Sequence, residues 1–132
     1  MSNSSLVDYV KISPNKNPRN HKIDTITIHC VVGQLSVETL GDIFSKKSKQ
    51  ASCNYGIGAD GRIGMYVEES YRSWCSSNAK NDHRALTYIS AKFEQRRIHL
   101  IVNSIRMHTI TSTFYSNRTM IVFSVRRTPR TI

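Results

Sequence analysis

The stretch Lys22–Gly33, KIDTITIHCVVG, decides how this chain is read. Thr25, Ile26, Thr27 and Ile28 alternate as a strand does, because successive side chains of an extended backbone point to opposite faces. Asp24 breaks the apolar character near the start, but Ile23, Ile26, Ile28, Val31 and Val32 surround Thr25 and Thr27 with apolar residues, which predicts a central, largely buried strand over 22–32. Near its end the strand presents His29 and then Cys30, an imidazole beside a thiol, before a turn at Gly33 and Gln34. A histidine at a rigid strand end is a candidate metal ligand or base, and its partners must come from elsewhere in the chain.

Working outward, Ser36 is a candidate N-cap and Glu38 falls in the first turn, where a carboxylate meets the helix dipole. Val37, Leu40, Ile43 and Phe44 share one face, which predicts a helix from Ser36 to about Ser45 packed on the strand. The following SKKSKQ, residues 45–50, opens a solvated basic loop. In CNYGIGADGRIGMYV, residues 53–67, two apolar runs flank Ala59-Asp60-Gly61. Asp-Gly supplies the positive-φ positions that tight hairpin turns need. Residues 68–84, EESYRSWCSSNAKNDHR, read as a loop carrying the single tryptophan, Trp74, and ALTYI begins another strand at Ala85. Upstream, residues 1–21 are polar, with Pro14 and Pro18, and read as an extended arm lying over the domain.

A length of 132 residues, 39% hydrophobic and 21% charged, predicts one globular domain. No apolar run reaches the roughly 18 residues of a membrane-spanning helix. The N-terminus lacks the charged start and apolar stretch of a secretory signal, so the expected location is the cytoplasm until the protein is released by another device. Cys30, Cys53 and Cys75 have no metal-knuckle spacing and read as buried reduced thiols; a Cys30–Cys53 or a Cys53–Cys75 disulfide stays open. The net charge of +10 is uneven: residues 1–87 carry eleven Lys and Arg against eight Asp and Glu, whereas residues 88–132 carry eight against one. The basic second part has no glycine, and IHLIVNSI, HTITSTFY and TMIVFSV within it each have strand propensity. Basic balance alone gives only sequence-independent phosphate affinity, and no motif with interleaved aromatics is present, so nucleic acid is not the expected partner.

Taken together, ITIHCVVG, the helix from Ser36, SCNYGIGADGRIGMYVEE, RSWCSSN and NDHRALT resemble the type-2 N-acetylmuramoyl-L-alanine amidases, a family that includes phage endolysins and peptidoglycan recognition proteins. The resemblance spans residues 22–87 and implies an α/β fold, a mixed sheet with packed helices, incomplete in its C-terminal part. It divides the chain into an arm at 1–21, an amidase-like domain at 22–87 and a divergent basic tail at 88–132. The implied activity is hydrolysis of the amide between N-acetylmuramic acid and L-alanine in peptidoglycan, with zinc as cofactor and His29 as its first ligand. A neutral imidazole is a good zinc ligand, and zinc lowers the pKa of a bound water to about 7.

The resemblance further implies a later histidine and then a cysteine or aspartate as the remaining ligands. His99 and His108 are present, but no Asp or Cys follows Glu94. The glutamate expected in a Thr-Ile-Glu strand is also absent, since the chain reads Thr87-Tyr88-Ile89. A changed reading frame after about Thr87 is one mechanism that would explain both departures, a hypothesis that rests on codon degeneracy alone. The expectation is therefore weak or absent zinc and impaired hydrolysis, with a non-catalytic peptidoglycan or anionic-polymer binding module as the alternative. Candidate substrate contacts are Trp74, Tyr55 and Arg84. Trp74 either stacks on a sugar or peptide stem or fills the core. Tyr55, beside Gly56, suits packing better than chemistry, and Arg84 with Asp82 and His83 forms a polar cluster that is either a solvated loop or a substrate contact. Cys53 stands where several relatives carry a tyrosine, and Cys30 reads as core rather than ligand.

Overall fold

The strand that carries His29 is flanked on both sides in a computed structural model that describes residues 3–30, 33–90, 115–117 and 120–126. In chain order the elements are β1 (Tyr9–Val10), β2 (Lys16–Pro18), β3 (Thr25–Cys30), α1 (Val37–Phe44), β4 (Tyr55–Ile57), β5 (Ile63–Met65), β6 (Tyr71–Ser73), α2 (Ala79–Arg84), β7 (Ala85–Ser90), β8 (Tyr115–Asn117) and β9 (Met120–Arg126). Seven strands form one mixed sheet in the order β1-β5-β4-β7-β3-β9-β8, and β2 with β6 forms a second, two-stranded sheet. This is the α/β class with a mixed sheet and packed helices that the sequence predicts.

β3 runs parallel to β7 and antiparallel to β9, which makes it an interior strand. It begins at Thr25 rather than Lys22, because Asp24 turns to polar partners: its N–H donates to the Arg84 carbonyl at 3.0 Å and its carboxylate accepts from the Arg84 guanidinium. Ile26 and Ile28 are buried on one face, while Thr25, Thr27 and His29 line the other. Ser36 caps α1 by accepting from the Thr39 N–H at 3.1 Å, and the Ser45 N–H closes the helix on the Gly41 carbonyl at 2.9 Å. β4 and β5 form the hairpin with Ile57 opposite Ile63, and Gly61 takes the left-handed conformation (φ 89°) that Asp-Gly permits.

The loop expected over 68–84 contains two elements. β6 exists through its pairing with β2, Lys16 opposite Ser73 and Pro18 opposite Tyr71, a long-range partnership that leaves no periodicity in so short a run. α2 starts at Asn78, whose side chain accepts from the Asn81 N–H at 3.2 Å. The N-terminal segment is likewise built in. β1 adds to the sheet edge beside β5, and buried Ser13 and Asn15 close the C-terminal end of α1. The Ser13 hydroxyl donates to the Phe44 carbonyl at 2.5 Å, and the Asn15 amide donates to the Lys46 and Ala51 carbonyls at 3.1 Å each. These donors meet carbonyls that a helix end and the turn after it leave without partners.

Leu40, Phe44, Cys53, Tyr66, Cys75 and Ile89 form the core between α1 and the sheet, with Phe44 edge-on to Tyr66 at 5.3 Å. Of the three strand-like runs in the second part, TMIVFSV corresponds to β9, which pairs with both β3 and β8. IHLIVNSI and residues 108–114 of HTITSTFY lie outside the described residues, as do the candidate ligands His99 and His108.

Candidate metal centre

His29 is the penultimate residue of β3, at the C-terminal end of that strand, level with Ile89 of β7 and Val122 of β9. Residues opposite one another in register share a face, so the imidazole lies on the side of Ile89, the α1 side. Two thiols meet it there. Cys53 stands just before β4 and Cys75 just after β6. Cys75 Sγ is 3.5 Å from His29 Nδ1 and 2.8 Å from Cys53 Sγ, and the donor atoms of the three residues all lie within 4.8 Å of one another. Exposure is 6% for His29, 1% for Cys53 and 8% for Cys75.

A buried polar network aligns the two cysteines. Thr87, facing the same side of β7 as Ile89, accepts from the Asn54 N–H and donates its hydroxyl to Asn54 Oδ1, both at 3.0 Å. The Thr87 N–H donates to the same Oδ1 at 3.1 Å, and the Ser73 hydroxyl sits 2.5 Å from Thr87 Oγ1. Asn54 adjoins Cys53, and Ser73 lies two residues before Cys75. One threonine therefore fixes both segments against the strand next to β3. On the far side of Cys75 the buried Asp82 carboxylate accepts from the Cys75 N–H (3.2 Å), the Ser76 N–H (3.2 Å) and the Ser76 hydroxyl (2.6 Å).

The thiols differ in acidity. The hydrogen bond from Cys53 holds the Cys75 thiol down to about 7 against the cost of burial, with His29 pulling the same way. Burial pushes the Cys53 thiol up. Asp82 is also pushed up by burial, which its N–H and hydroxyl donors offset in part. His29 Nε2 is buried and has no hydrogen-bond partner among the described residues.

The other candidate residues are spread around this point. Trp74 adjoins Cys75; it is half-buried, and its indole N–H donates to Asn17 Oδ1 at 2.6 Å. Tyr55 is buried in β4; its hydroxyl donates to Glu69 Oε1 at 2.6 Å and accepts from the Ser4 N–H at 2.9 Å, and its ring stacks on Tyr88 at 5.4 Å. Arg84 holds Asp24 at the N-terminal ends of β7 and β3. Four residues of β3 separate that end from His29, about 13 Å of extended strand, so Arg84 and His29 sit at opposite ends of the sheet. Cys30 closes β3, and its side chain lies outside the described residues.

Sequence reasoning placed His29 at the strand end and missed the two thiols beside it. The expectation of a lost ligand set rested on residues after Glu94, whereas these donors come from the middle of the chain. The signal available was position: Cys53 directly precedes the Asn-Tyr strand and Cys75 directly follows the tryptophan. One imidazole nitrogen and two thiol sulfurs, all buried and within 4.8 Å of one another, form a donor set that zinc accepts.

A mixed sheet whose central strand carries a histidine to its C-terminal end, beside a capped helix and an Asp-Gly hairpin, defines an α/β protein with a metal-competent strand end. The family model described as N-acetylmuramoyl-L-alanine amidase, the type-2 class, matches residues 19–107, more than half of the chain, and the chain belongs to that family. No curated protein and no solved structure matches it. Among the described residues, no helix is long and apolar enough to cross a membrane.

Proposed function

We propose that this chain is a peptidoglycan amidase by lineage that holds the wall polymer at the His29 end of its sheet and cuts the amide between N-acetylmuramic acid and L-alanine poorly or not at all. The observation that carries the reading is His29 itself, a buried nitrogen donor at the C-terminal end of an interior strand, within the segment the family model matches. Zinc, when bound there, supplies a water of pKa about 7 and polarises the amide carbonyl.

The chain's own residues hold rather than react. Strand pairing on both sides of β3 fixes the His29 backbone. Trp74 offers a half-exposed indole to a sugar or peptide stem, and Asn17 fixes its tilt. Tyr55 reaches substrate only by giving up its bond to Glu69, and Arg84, at the opposite end of the sheet from His29, is committed to Asp24. Two observations favour impairment. The three candidate metal donors are buried, which leaves little room for an amide to approach. Where the resemblance implies a glutamate, Ile89 sits in the core, so that position offers no carboxylate for proton transfer.

The test is a pair of measurements on purified walls with the zinc-treated chain: co-sedimentation, and release of free L-alanine amino groups. Retention on the walls with little release is expected. Release at the rate of an active amidase overturns the impairment. Loss of retention overturns the binding. A second reading, attachment to anionic polymers through residues 88–132, rests on their net charge of +7. It predicts retention that falls steeply with salt and persists on walls stripped of stem peptides.

A further inference from the structure

We propose that His29, Cys53 and Cys75 together form a zinc site, a nitrogen and two sulfurs drawn from three separate segments, which clasps β3, the entry to β4 and the exit of β6. The inference rests on the reading of His29 as a metal ligand and goes beyond it by naming the other two donors.

The geometry supports this directly. Zinc–sulfur bonds of about 2.3 Å and zinc–nitrogen bonds of about 2.0–2.1 Å in tetrahedral array place N and S about 3.5 Å apart and the two sulfurs about 3.7 Å apart. The His29 Nδ1 to Cys75 Sγ separation is 3.5 Å. The sulfurs stand 2.8 Å apart, so they separate by about 1 Å on loading. A small rotation of the Cys75 side chain supplies this, since Cys53 is the more deeply buried of the two. On binding, each thiol releases its proton to solvent and gives a sulfur lone pair to the ion. Two thiolates balance the charge of Zn²⁺, so no unpaired charge is buried. Three protein donors leave the fourth position to a small ligand such as water.

The placement explains features that a plain core leaves unexplained. Two thiols and an imidazole converge in an otherwise apolar cluster of Leu40, Phe44, Tyr66 and Ile89. The Thr87 and Asp82 networks hold the segments of both cysteines, as supporting hydrogen bonds orient ligands in metal sites. Without metal, the same sulfurs are placed for two-electron oxidation to a disulfide by a small-molecule disulfide, which takes up both electrons and both protons as its own two thiols. That product competes with zinc for Cys53 and Cys75.

The experiment loads the full chain, kept reduced by a non-thiol reductant, with Zn²⁺ and separately with Co²⁺. Expected are one zinc per chain, a zinc-dependent rise in melting temperature, and thiolate-to-cobalt charge-transfer absorption. That absorption falls to about half in Cys53→Ala and in Cys75→Ala, vanishes in the double variant and is unchanged in Cys30→Ser. Zinc affinity falls by more than the roughly 100-fold that loss of a supporting residue causes. The wild-type cobalt spectrum decides even if a variant fails to fold. Zinc bound without thiolate absorption, zinc retained by the double cysteine variant, or no zinc under reducing conditions each overturns the site. The wall measurements report separately. Thiolate-bound zinc with no retention on walls leaves the site standing and overturns the peptidoglycan reading, whereas zinc held through other residues with retention intact does the reverse.

Discussion

His29 Nδ1 and Cys75 Sγ lie 3.5 Å apart although 46 residues separate them in the chain. What brings them together is the strand between: β7 pairs with β3 along its whole length, and Thr87 of β7 bonds to Asn54 and approaches Ser73, which carry the two cysteine segments.

Thr87→Val tests that relation. The change keeps the shape and removes the hydroxyl, leaving the Asn54 N–H and Ser73 hydroxyl without a buried partner. Unmet buried groups of this kind cost about 1–3 kcal/mol. Zinc affinity should fall by about 10–100-fold although no donor is touched. Urea unfolding gives the first quantity and competition against a chelating dye gives the second. Lost stability with unchanged zinc affinity means that the cysteines are aligned by something other than Thr87.

Asn15→Ala tests the N-terminal segment. The Asn15 amide donates to the carbonyl of Phe44 in the last turn of α1 and to those of Lys46 and Ala51 beyond it, and it is buried. Its loss should cost about 1–3 kcal/mol. Asn15→Asp should cost more at neutral pH, because a carboxylate would face three carbonyl oxygens, and part of the loss should return as acid protonates it. If Asp proves milder than Ala in thermal melts at pH 7, the amide is not acting as the donor.

Most of the scaffold was readable because its causes are local. The alternation in TITIH, the Ser36 cap and the Asp-Gly turn each act within a few residues, and each element stands where those signals put it. What escaped reading depends on contacts between distant segments. β1, β2 and β6 are two or three residues long and exist by pairing with one another or with β5, so they carry no period. The thiols beside His29 escaped for the same reason. Cysteine spacing along the chain is uninformative when β4, β7 and β3, neighbours in the sheet, are far apart in sequence.

Asp24 and Arg84 make the acid response predictable. The Arg84 guanidinium holds the Asp24 carboxyl below its usual value of 3.8, burial opposing. A depressed carboxyl pKa contributes stability that is present above the unfolded value and is lost as pH falls through the folded one. Asp24→Asn should therefore lower stability by a nearly constant amount from pH 8 to pH 5, and the gap to the parent should close below about pH 4. Both side chains are partly exposed, so the amount is small and should shrink in salt. A gap that stays open at pH 2 would show that the aspartate acts through packing rather than charge.

Arg19 ties the N-terminal segment to the surroundings of the candidate site. Its guanidinium donates to five carbonyls: Glu69 (2.9 Å) through Nε, Asp82 (3.0 Å), His83 (2.8 Å) and Ala85 (3.0 Å) through Nη1, and Tyr71 (2.9 Å) through Nη2. Burial lowers its pKa, with Glu69 and Asp82 opposing, and an arginine so placed stays protonated. The contacts gather the end of α2, the start of β7 and the approach to β6, and the side chain of the same Asp82 holds the Cys75–Ser76 turn. Arg19→Ala should cost about 2–3 kcal/mol, since hydrogen bonds from a charged donor are worth more than neutral ones and these carbonyls become undersatisfied together. Arg19→Lys should recover less than half, because a compact ammonium cannot reach the three directions that the planar fork spans. Through Asp82 the loss should also loosen Cys75, so iodoacetamide should label Cys75 faster in metal-free Arg19→Ala than in the parent at equal fraction folded. If lysine restores full stability, the five carbonyls are satisfied by charge alone. If Cys75 labelling is unchanged, α2 does not transmit the tie to the metal centre.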